Sequence, residues 1–260
     1  MSLKISVITV SFNQSQWIEE CIRSVYEQNY PNVEHIIVDG GSNDGTVEIL
    51  KKYPHLLWTS EPDEGQSDAL NKGFRKATGD IIAWVNSDDA MCEGSLEAID
   101  RFFSENPDKY VVVGNQVLID ENSKILRVAK GKPFSEEWLL NGVRSAVTQN
   151  STVFRKEVFE KVGYLDESFH YSMDRDLFIR LAHNYKIYAI DKDLAKFRLQ
   201  SESKTCTSKL KFYNDLKRIR KKYNAPFNFK MWLWIEWQYI KEPFRKIPFL
   251  RRTIGKYIKY

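Results

Sequence analysis

The sequence predicts an α/β fold, in which a mixed, mostly parallel sheet is flanked by helices and followed by a basic, aromatic helical appendage. Over the first 120 residues, short β-branched runs alternate with segments whose apolar residues recur at helical spacing. This alternation is typical of a parallel sheet covered on both faces. An apolar fraction of 42% over 260 residues is enough for a substantial core. From residue 209 onward, 15 Lys and Arg stand against three Asp and Glu, which marks a separate cationic segment.

The first three elements predict a βαβ unit. Ile5–Phe12 is a β-branched run and predicts a strand, Gln14–Gln28 carries apolar residues at helical spacing, and His35–Val38 predicts the second strand. The alternation continues through the helix Thr46–Tyr53, the strand Leu56–Thr59, the helix Ser67–Ala77, the strand Asp80–Val85, the helix Ser95–Ser104 and the strand Tyr110–Leu118. Beyond residue 120 the pattern becomes mixed, and it predicts helices near Glu136–Leu140, Glu157–Val162 and Arg175–Asn184 and a strand at Ile187–Ile190.

Polar clusters follow three of the predicted strands. They are Ser11–Asn13 after the first, Asp39–Gly45 after the second and Asn86–Asp89 after the fourth. In open α/β sheets, ligands bind outside the carboxyl ends of the strands, where loops and helix N-termini converge. We therefore expect the functional site at these strand ends.

Asp88 and Asp89 belong to the segment Asn86–Asp89, which follows a hydrophobic strand. Two adjacent carboxylates repel each other, and Mg²⁺ or Mn²⁺ bound together with substrate phosphates relieves that repulsion. A solvated turn or a helix cap is the alternative interpretation. The segment Asp39–Ser42 is open to two interpretations, either a tight turn or a carboxylate that accepts hydrogen bonds from a ribose or a base. The chain has no GxGxxG dinucleotide motif and no P-loop motif.

Five segments, in this order and spacing, resemble the family 2 glycosyltransferases of the GT-A fold. They are Ile8–Asn13, Val38–Thr46, Gly65–Gly73, Asn86–Asp89 and Tyr171–Leu181. The resemblance covers residues 4–200 and implies an inverting transfer of a sugar from a nucleoside-diphosphate sugar to an acceptor hydroxyl. UDP is the expected nucleotide, with dTDP and GDP as alternatives. Bacterial polysaccharide or lipopolysaccharide assembly is the setting that it implies.

The resemblance also assigns regions and residues. Residues 1–208 would form the catalytic domain, with a nucleotide-sugar half up to residue 120 and an acceptor half over 121–208, and residues 209–260 would form a helical extension. The implied nucleotide-sugar contacts are Thr9, Asn13, Asp39, Asp68, Asn86, Ser87, Asp89 and Arg198, the last together with Ser203 and Lys204. The family binds its metal through a DXD motif, which usually begins with Asp. Asn86 stands at that first position here, so Asp88 is the residue that would hold Mn²⁺ or Mg²⁺. Gln149–Thr152 resembles a segment on the acceptor side, and Gln200 stands where a histidine is common.

Asp174 is the implied catalytic base. An inverting transfer needs one carboxylate that accepts the proton of the acceptor hydroxyl, and no matched acid is required, because the leaving diphosphate is already anionic. The alternative is that Asp174 caps a helix that begins at Arg175. Asp176 lies on another side of that helix, where we expect it to support the first-turn amides or Arg180.

The basic, aromatic segment 209–260 leaves three hypotheses open. It suits an interfacial helix on an anionic membrane, it could pack on the catalytic domain or on a second copy in a homodimer, or it could bind nucleic acid. The acidic body, with 24 Lys and Arg against 32 Asp and Glu, argues against nucleic acid. A sugar-nucleotidyltransferase is disfavoured because the loop Ser11–Ser15 lacks Gly and Lys. The three cysteines are scattered along the chain, and the sequence shows neither a signal-peptide pattern nor a run of about 18 apolar residues. These features predict a cytoplasmic protein, which could also lie at the inner face of the plasma membrane.

Overall fold

A computed structural model describes residues 2–142, 148–200 and 209–245. Within these residues, nine strands form one sheet in the order β3-β2-β1-β4-β8-β6-β9-β5, and β7 pairs with β6. The strands are β1 Ile5–Ser11, β2 Val33–Asp39, β3 Leu57–Ser60, β4 Ile81–Trp84, β5 Ala90–Met91, β6 Val111–Ile119, β7 Ile125–Ala129, β8 Thr152–Arg155 and β9 Ile187–Arg198. The mixed α/β architecture that the sequence predicts is confirmed.

One half of the sheet, β3-β2-β1-β4, is entirely parallel. All seven residues of β1 are buried, as expected for a strand covered on both faces. In the other half, β8 is antiparallel to both β4 and β6, β5 is antiparallel to β9, and β6 and β9 are parallel. The parallel half therefore gathers the carboxyl ends of β1, β2, β3 and β4 at one edge.

Helices cover both faces of the sheet. In chain order they are α1 Ile18–Tyr26, α2 Thr46–Leu50, α3 Gln66–Lys76, α4 Ser95–Glu105, α5 Glu136–Asn141, α6 Val158–Val162, α7 Met173–Asn184, α8 Lys209–Lys222 and α9 Phe229–Arg245. One apolar cluster lies between the sheet and α3, α5, α6 and α7, and a second lies between the sheet and α1 and α4. The layers are those that alternating strands and helices predict.

The predicted strand Ile187–Ile190 is too short, because β9 continues to Arg198. Its later residues include Asp191, Lys192 and Asp193, which broke the apolar pattern on which the prediction relied. They are tolerated because this part of the strand is only partly covered. The extension matters, since it carries Arg198 to the edge where β4 ends.

Helix α8 packs on the body of the protein. Ile219 is fully buried in the same apolar cluster as α3 and α7. The Asp215 carboxylate accepts a hydrogen bond from the Tyr171 amide at 2.9 Å. Helix α9 packs on α8 through Met231 and Ile235. The division at residue 208 stays a prediction, because residues 201–208 lie outside the described part. Of the helices described, none is both long and apolar enough to span a bilayer.

Candidate active site

The carboxyl ends of three neighbouring strands meet in register. Ser11 lies beside Asp39, and Asp39 lies beside Ser60. The buried Asp39 carboxylate accepts hydrogen bonds from the Ser42 amide at 2.9 Å and the Ser42 hydroxyl at 2.5 Å. It also accepts one from the Ser60 hydroxyl at 2.6 Å. These donors hold Asp39 in one orientation at the strand ends, where the sequence predicts its contact with a base or ribose.

The loops after β1 and β2 are tied together by Asn13. Its backbone is left-handed, with φ of 52°, and its amide donates to the Ser42 hydroxyl at 2.8 Å. Its side-chain oxygen accepts from the Asn43 amide at 3.0 Å. Gly40 lies under this crossing, where a Cβ would fall 2.6 Å from Asp63 Oδ2. Asn13 thus shapes the rim of the site, and its contact with the nucleotide stays a prediction.

Thr9 lies one layer below the strand ends. It is fully buried on β1, and its hydroxyl is 2.9 Å from His35 Nε2 and 3.8 Å from Cys21 Sγ. Burial lowers the pKa of His35 to about 3, so the ring is neutral at physiological pH. Thr9 therefore belongs to a polar layer that supports the site from beneath. Its predicted place near the nucleotide is not tested.

Asn86 is held by three side chains at the end of β4. Its Oδ1 accepts from Trp84 Nε1 at 3.1 Å and from Gln66 Nε2 at 3.2 Å. Its Nδ2 donates to Gln149 Oε1 at 3.4 Å, and Gln149 Nε2 donates to the Trp84 carbonyl at 2.7 Å. Ser87, the next residue, is buried. The loop after β4 is therefore fixed by amide contacts from two other segments.

Asp88 and Asp89 differ in their surroundings. Asp88 is half-buried and accepts from Gln200 Nε2 at 2.6 Å, and burial raises its pKa. Asp89 is 1% exposed and accepts from Asn150 Nδ2 at 2.9 Å and from the Arg198 amide at 3.0 Å. Burial, followed by the neighbouring Asp88 charge, raises the pKa of Asp89 well above its usual value. The Asp89 carboxylate therefore binds other groups of the protein, and Asp88 is the more accessible of the two carboxylates.

The Arg198 guanidinium is buried against the loop that carries Asp88. Its Nε donates to the Asp88 carbonyl at 2.9 Å, and Nη1 donates to Ser123 Oγ at 2.9 Å. Nη2 pairs with Glu20 at 2.6 Å, and the guanidinium carbon lies 4.3 Å from the centre of the Trp17 ring. These contacts hold the Asp88 backbone in place. The predicted contact of Arg198 with a diphosphate stays a prediction, and Ser203 and Lys204 lie outside the described residues.

The Asp88 carboxylate suits a cation that is also bound by oxygen atoms of the substrate. Among the described residues, no three His, Cys, Asp or Glu side chains are close enough to form a metal site of their own. Mg²⁺ and Mn²⁺ sites that use one carboxylate together with substrate phosphates need no such cluster. Asp88 therefore fits as a single carboxylate ligand, and a metal at this position remains a prediction.

Asp174 lies in the first turn of α7. The N-cap position is Ser172, so the helix begins two residues earlier than the sequence predicts, and Asp174 is not its cap. Asp174 Oδ1 accepts from the Arg175 amide at 2.7 Å, and burial raises the pKa of Asp174. Burial also lowers the pKa of the adjacent Arg175 to about 10. A carboxyl with a raised pKa at a helix N-terminus suits proton acceptance near neutral pH.

Asp176, two residues on, is fully buried and paired. It accepts from Arg180 Nε at 3.1 Å and Nη2 at 2.9 Å, as the sequence predicts. It also accepts from Lys222 Nζ at 2.7 Å and from the Tyr223 hydroxyl at 2.9 Å. Asp176 therefore joins α7 to the end of α8.

The N-terminus of α3 connects the two halves of the site. Gln66 contacts Asn86 in the loop after β4, and the Ser67 hydroxyl donates to the Phe169 carbonyl at 3.2 Å. Phe169 lies five residues before Asp174 in the chain. The structure thus brings the segment that carries Asp174 and the loop that carries Asp88 into contact with the same helix end.

Asp68 lies in the first turn of the same helix. It accepts from the Glu64 amide at 3.1 Å and pairs with Lys72 at 3.0 Å. This pairing ties Asp68 to its own helix and to the loop before it. Its implied contact with the nucleotide sugar stays a prediction.

Several residues of this arrangement were not assigned contacts from the sequence. Gln66 and Gln200 contact the loop after β4, and Glu20 and Trp17 enclose Arg198. Amides and single carboxylates far apart in the chain give no pattern of their own. The available signals were the position of Gln66 inside a recognised segment and that of Gln200 where the family commonly has a histidine.

Comparison with protein families gives a match over most of the parallel half and beyond. The model of the family described as "Glycosyl transferase family 2" matches residues 6–163. An uncharacterized glycosyltransferase of Mycobacterium tuberculosis is 30% identical over 184 residues, which is 68% of this chain and 68% of the relative. One from Rickettsia prowazekii is 27% identical over 221 residues, covering 82% of this chain and 70% of the relative.

Solved structures share the fold. Residues 1–349 of S. aureus TarS in complex with UDP-GlcNAc match with a TM-score of 0.68 at 19% identity, covering 87% of this chain and 68% of that one. The chain spans 41% of a longer S. aureus TarS structure. A mannosyltransferase of Pyrobaculum calidifontis in complex with GDP-Man and Mn²⁺ matches with a TM-score of 0.62 at 18% identity, covering 88% of this chain and 66% of that one. The expected GT-A fold is confirmed.

Proposed function

Since the chain belongs to glycosyl transferase family 2, a family of sugar-transferring enzymes, we propose that it moves a sugar from a UDP-sugar to a hydroxyl of a saccharide acceptor with inversion. The observation that carries the proposal is the pair of ordered carboxylates, Asp39 at the end of β2 and Asp88 in the loop after β4, the two parallel strands that flank β1. Strand ends of this kind bind nucleotides in α/β proteins. The assembly of a bacterial polysaccharide or lipopolysaccharide is the proposed setting.

In this proposal the nucleotide lies along the edge formed by β1, β2 and β3. The Asp39 carboxylate accepts hydrogen bonds from the ribose or the base, and the Asn13 crossing closes the rim. Asp88 holds Mn²⁺ or Mg²⁺ beside the diphosphate, with Gln200 and Arg198 fixing the position of Asp88. The cation, when bound, neutralises charge that develops on the leaving diphosphate.

Asp174 acts as the base in this proposal. The acceptor oxygen forms a bond to the anomeric carbon while the bond from that carbon to the diphosphate breaks, and the hydroxyl proton passes to a carboxylate oxygen of Asp174. Attack opposite the leaving group inverts the configuration. The raised pKa supports this role, because a stronger base accepts the proton more readily once it is ionised.

Relatives support the class of donor without fixing it. One solved structure of similar fold contains UDP-GlcNAc, and another contains GDP-Man and Mn²⁺. We propose UDP as the nucleotide, and a cytoplasmic location at the inner face of the membrane. The cationic segment 209–260 supports that location.

Nucleotide binding tests the donor site. We expect UDP with Mn²⁺, at a hundred times its Kd, to raise the Tm by about 5–10 °C, because ligands that bind only the folded state stabilise it by about 2.7 kcal/mol at that excess. Asp88→Ala should lose the Mn²⁺-dependent part of the shift. Asp108→Ala, an exposed carboxylate between α4 and β6, is the matched control and should keep it. No shift with UDP, GDP or dTDP, with or without metal, would contradict the proposal.

Donor turnover tests the base. With water as the acceptor, slow release of UDP from a panel of UDP-sugars should fall about 10²- to 10⁴-fold in Asp174→Asn, the usual contribution of a general base. The Tm shift with UDP should be unchanged, because Asp174 is not in the donor site. The wild-type rate should rise with pH through the raised pKa of Asp174 and then level off. Equal rates for Asp174→Asn and the wild type would rule out this role.

A further inference from the structure

Helix α9 presents a row of large apolar side chains that no described segment covers. With the preceding loop residue, they are Phe227 (76% exposed), Phe229 (60%), Trp232 (45%), Leu233 (52%), Trp237 (49%) and Ile240 (57%). Positions 229, 233, 237 and 240 recur at helical spacing and therefore lie on one face. We call these six residues the α9 face.

The other side of the same helix is already used for packing. Met231, Ile235 and Gln238 are buried, and the first two pack against Tyr213 and Leu216 of α8. The α9 helix is therefore apolar on two sides, although it needs only one to attach to the protein. A contiguous exposed apolar face of this kind marks an interaction surface.

The charges beside the α9 face are positive. Lys230 is exposed on its flank, and Lys241 lies 4.7 Å from the centre of the Trp237 ring. The Glu236 carboxylate is paired with Lys217 at 2.7 Å. The sequence beyond the described part of the helix, residues 246–260, adds five Lys and Arg and no Asp or Glu. The surroundings therefore complement an anionic partner.

The α9 face is joined to the segment that carries Asp174. Helix α9 packs on α8, and α8 is bonded to α7 and its preceding loop through Asp215 with Tyr171 and through Lys222 with Asp176. Arg218 also donates to the Ser168 carbonyl at 2.8 Å. A partner of the α9 face is thus held at the side of the protein where the base lies.

We propose that the α9 face seats the protein on an anionic lipid bilayer, with the aromatic and aliphatic side chains in the headgroup region and the basic residues on the lipid charge. Large aromatic residues beside Lys and Arg on one helical face are the chemistry that such surfaces recognise. Resting on the proposed function, the inference also names the acceptor class, a saccharide carried on a lipid in that bilayer and delivered to Asp174.

Vesicle flotation tests the surface without any sugar donor. The full chain is mixed with phosphatidylcholine vesicles, with or without phosphatidylglycerol, and centrifuged through a density gradient. We expect the wild type to float with the anionic vesicles and to be released at high salt. The triple variant Trp232→Ser, Leu233→Ser, Trp237→Ser should stay at the bottom of the gradient.

The matched control removes three exposed apolar side chains elsewhere. Ile125→Ser, Leu126→Ser, Val128→Ser on β7 changes residues that are 62%, 52% and 43% exposed, and this variant should float like the wild type. All three proteins should have the same Tm, since the changed side chains are exposed. If only the α9 variant has a lower Tm, the double variant Lys230→Glu, Lys241→Glu replaces it in the test. This variant changes the charge beside the α9 face and leaves its apolar side chains in place, and it should also abolish flotation.

Three results would overturn the inference. The wild type could fail to float with anionic vesicles, the α9 variant could float as well as the wild type, or the wild type could elute as a dimer and the α9 variant as a monomer, which would make the α9 face a contact between two copies. The UDP-induced Tm shift, measured on the same samples, is independent of vesicles. Failure of flotation is therefore distinguishable from failure of the donor site.

Discussion

Asn86 occupies the position where the resemblance leads one to expect the first carboxylate of a metal-binding motif, and its amide is used differently. Its oxygen accepts from Trp84 Nε1 and Gln66 Nε2, and its nitrogen donates to Gln149. An amide can accept and donate at once, whereas a carboxylate can only accept. The residue therefore suits a role in positioning the loop that carries Asp88.

Replacement of Asn86 tests that role. Asn86→Ala leaves the buried indole N–H of Trp84 without its acceptor, so we expect a loss of about 1–3 kcal/mol in the free energy of unfolding. Asn86→Asp keeps an acceptor oxygen and should cost less. Urea unfolding measures both, with Asn122→Ala at an exposed position as the control. An Asn86→Ala protein as stable as the wild type would show that the hydrogen bonds of Asn86 contribute little.

His35 makes stability depend on pH. Its folded pKa of about 3 lies below the ordinary value of 6.5, because the ring is buried. Below pH 6.5 the unfolded chain binds a proton that the folded protein does not. This residue's contribution to stability is therefore present above pH 6.5 and is lost as the pH falls toward 3, by about 1.4 kcal/mol per pH unit.

His35→Gln, which cannot titrate, should remove that slope between pH 6.5 and 4 in urea unfolding curves. His183→Gln, at a side chain that is 66% exposed, should retain it. Equal slopes in the wild type and His35→Gln would mean that the His35 ring is protonated in the folded protein.

Individual residues could be predicted where chemistry and strand position coincided. Asp39 and Asp88 follow hydrophobic strands, so their position at one edge of the sheet could be predicted from the sequence. Gln66 and Gln200 were not assigned contacts, because a single amide side chain has no distinguishing sequence pattern. Arg198 was expected at the site, but its contacts with Glu20 and Trp17 depend on packing between segments about 180 residues apart in the chain.

Among the secondary-structure elements, α8 is the one whose contacts change the interpretation of the chain. From its sequence it is an amphipathic helix with a cationic face, and either packing or free exposure was compatible with that pattern. In the structure, Ile219 enters the main core, and Lys222 and Tyr223 reach the buried Asp176. The helix is therefore part of the support for α7.

Removal of one cation tests this support. Lys222→Met leaves Asp176 with Arg180 and Tyr223, and we expect a loss of about 1.5–3 kcal/mol in the free energy of unfolding, the usual range for a hydrogen bond to a charged group. The adjacent Lys221 is exposed like Lys222 but is not a partner of Asp176, so Lys221→Met is the matched control and should change stability by less than about 0.5 kcal/mol. Thermal or urea unfolding provides the measurement. Equal stabilities for the two variants would show that α8 does not support α7.

Prediction of the elements succeeded where periodicity was unbroken. Strands β1 and β4 of the parallel half were found because they are buried on both faces and form nearly continuous apolar runs. The two-residue β5 was missed because it exists only through its pairing with β9. The exposed β7 was missed because its apolar residues do not alternate with polar ones. A short stretch of sequence does not determine which strand it will pair with in the sheet.

Across the whole molecule, the change from acidic to basic sequence falls at the start of the C-terminal helices. The body is acidic, the segment from residue 209 is basic, and the α9 face lies within the basic part. Composition alone predicted this division. It did not predict that α8 would be bonded to the segment before α7, since that depends on contacts such as Asp215 with Tyr171.

The Asp176 carboxylate has a consequence for synthesis of the protein. Two of its partners, Lys222 and Tyr223, are made 46 and 47 residues after it. While the chain grows on the ribosome, α7 must wait for these partners, although the strands that form the donor edge are already complete. The part of the protein around α7 should therefore mature last, and under the proposed function a nascent chain would be able to hold a nucleotide before it is able to transfer a sugar.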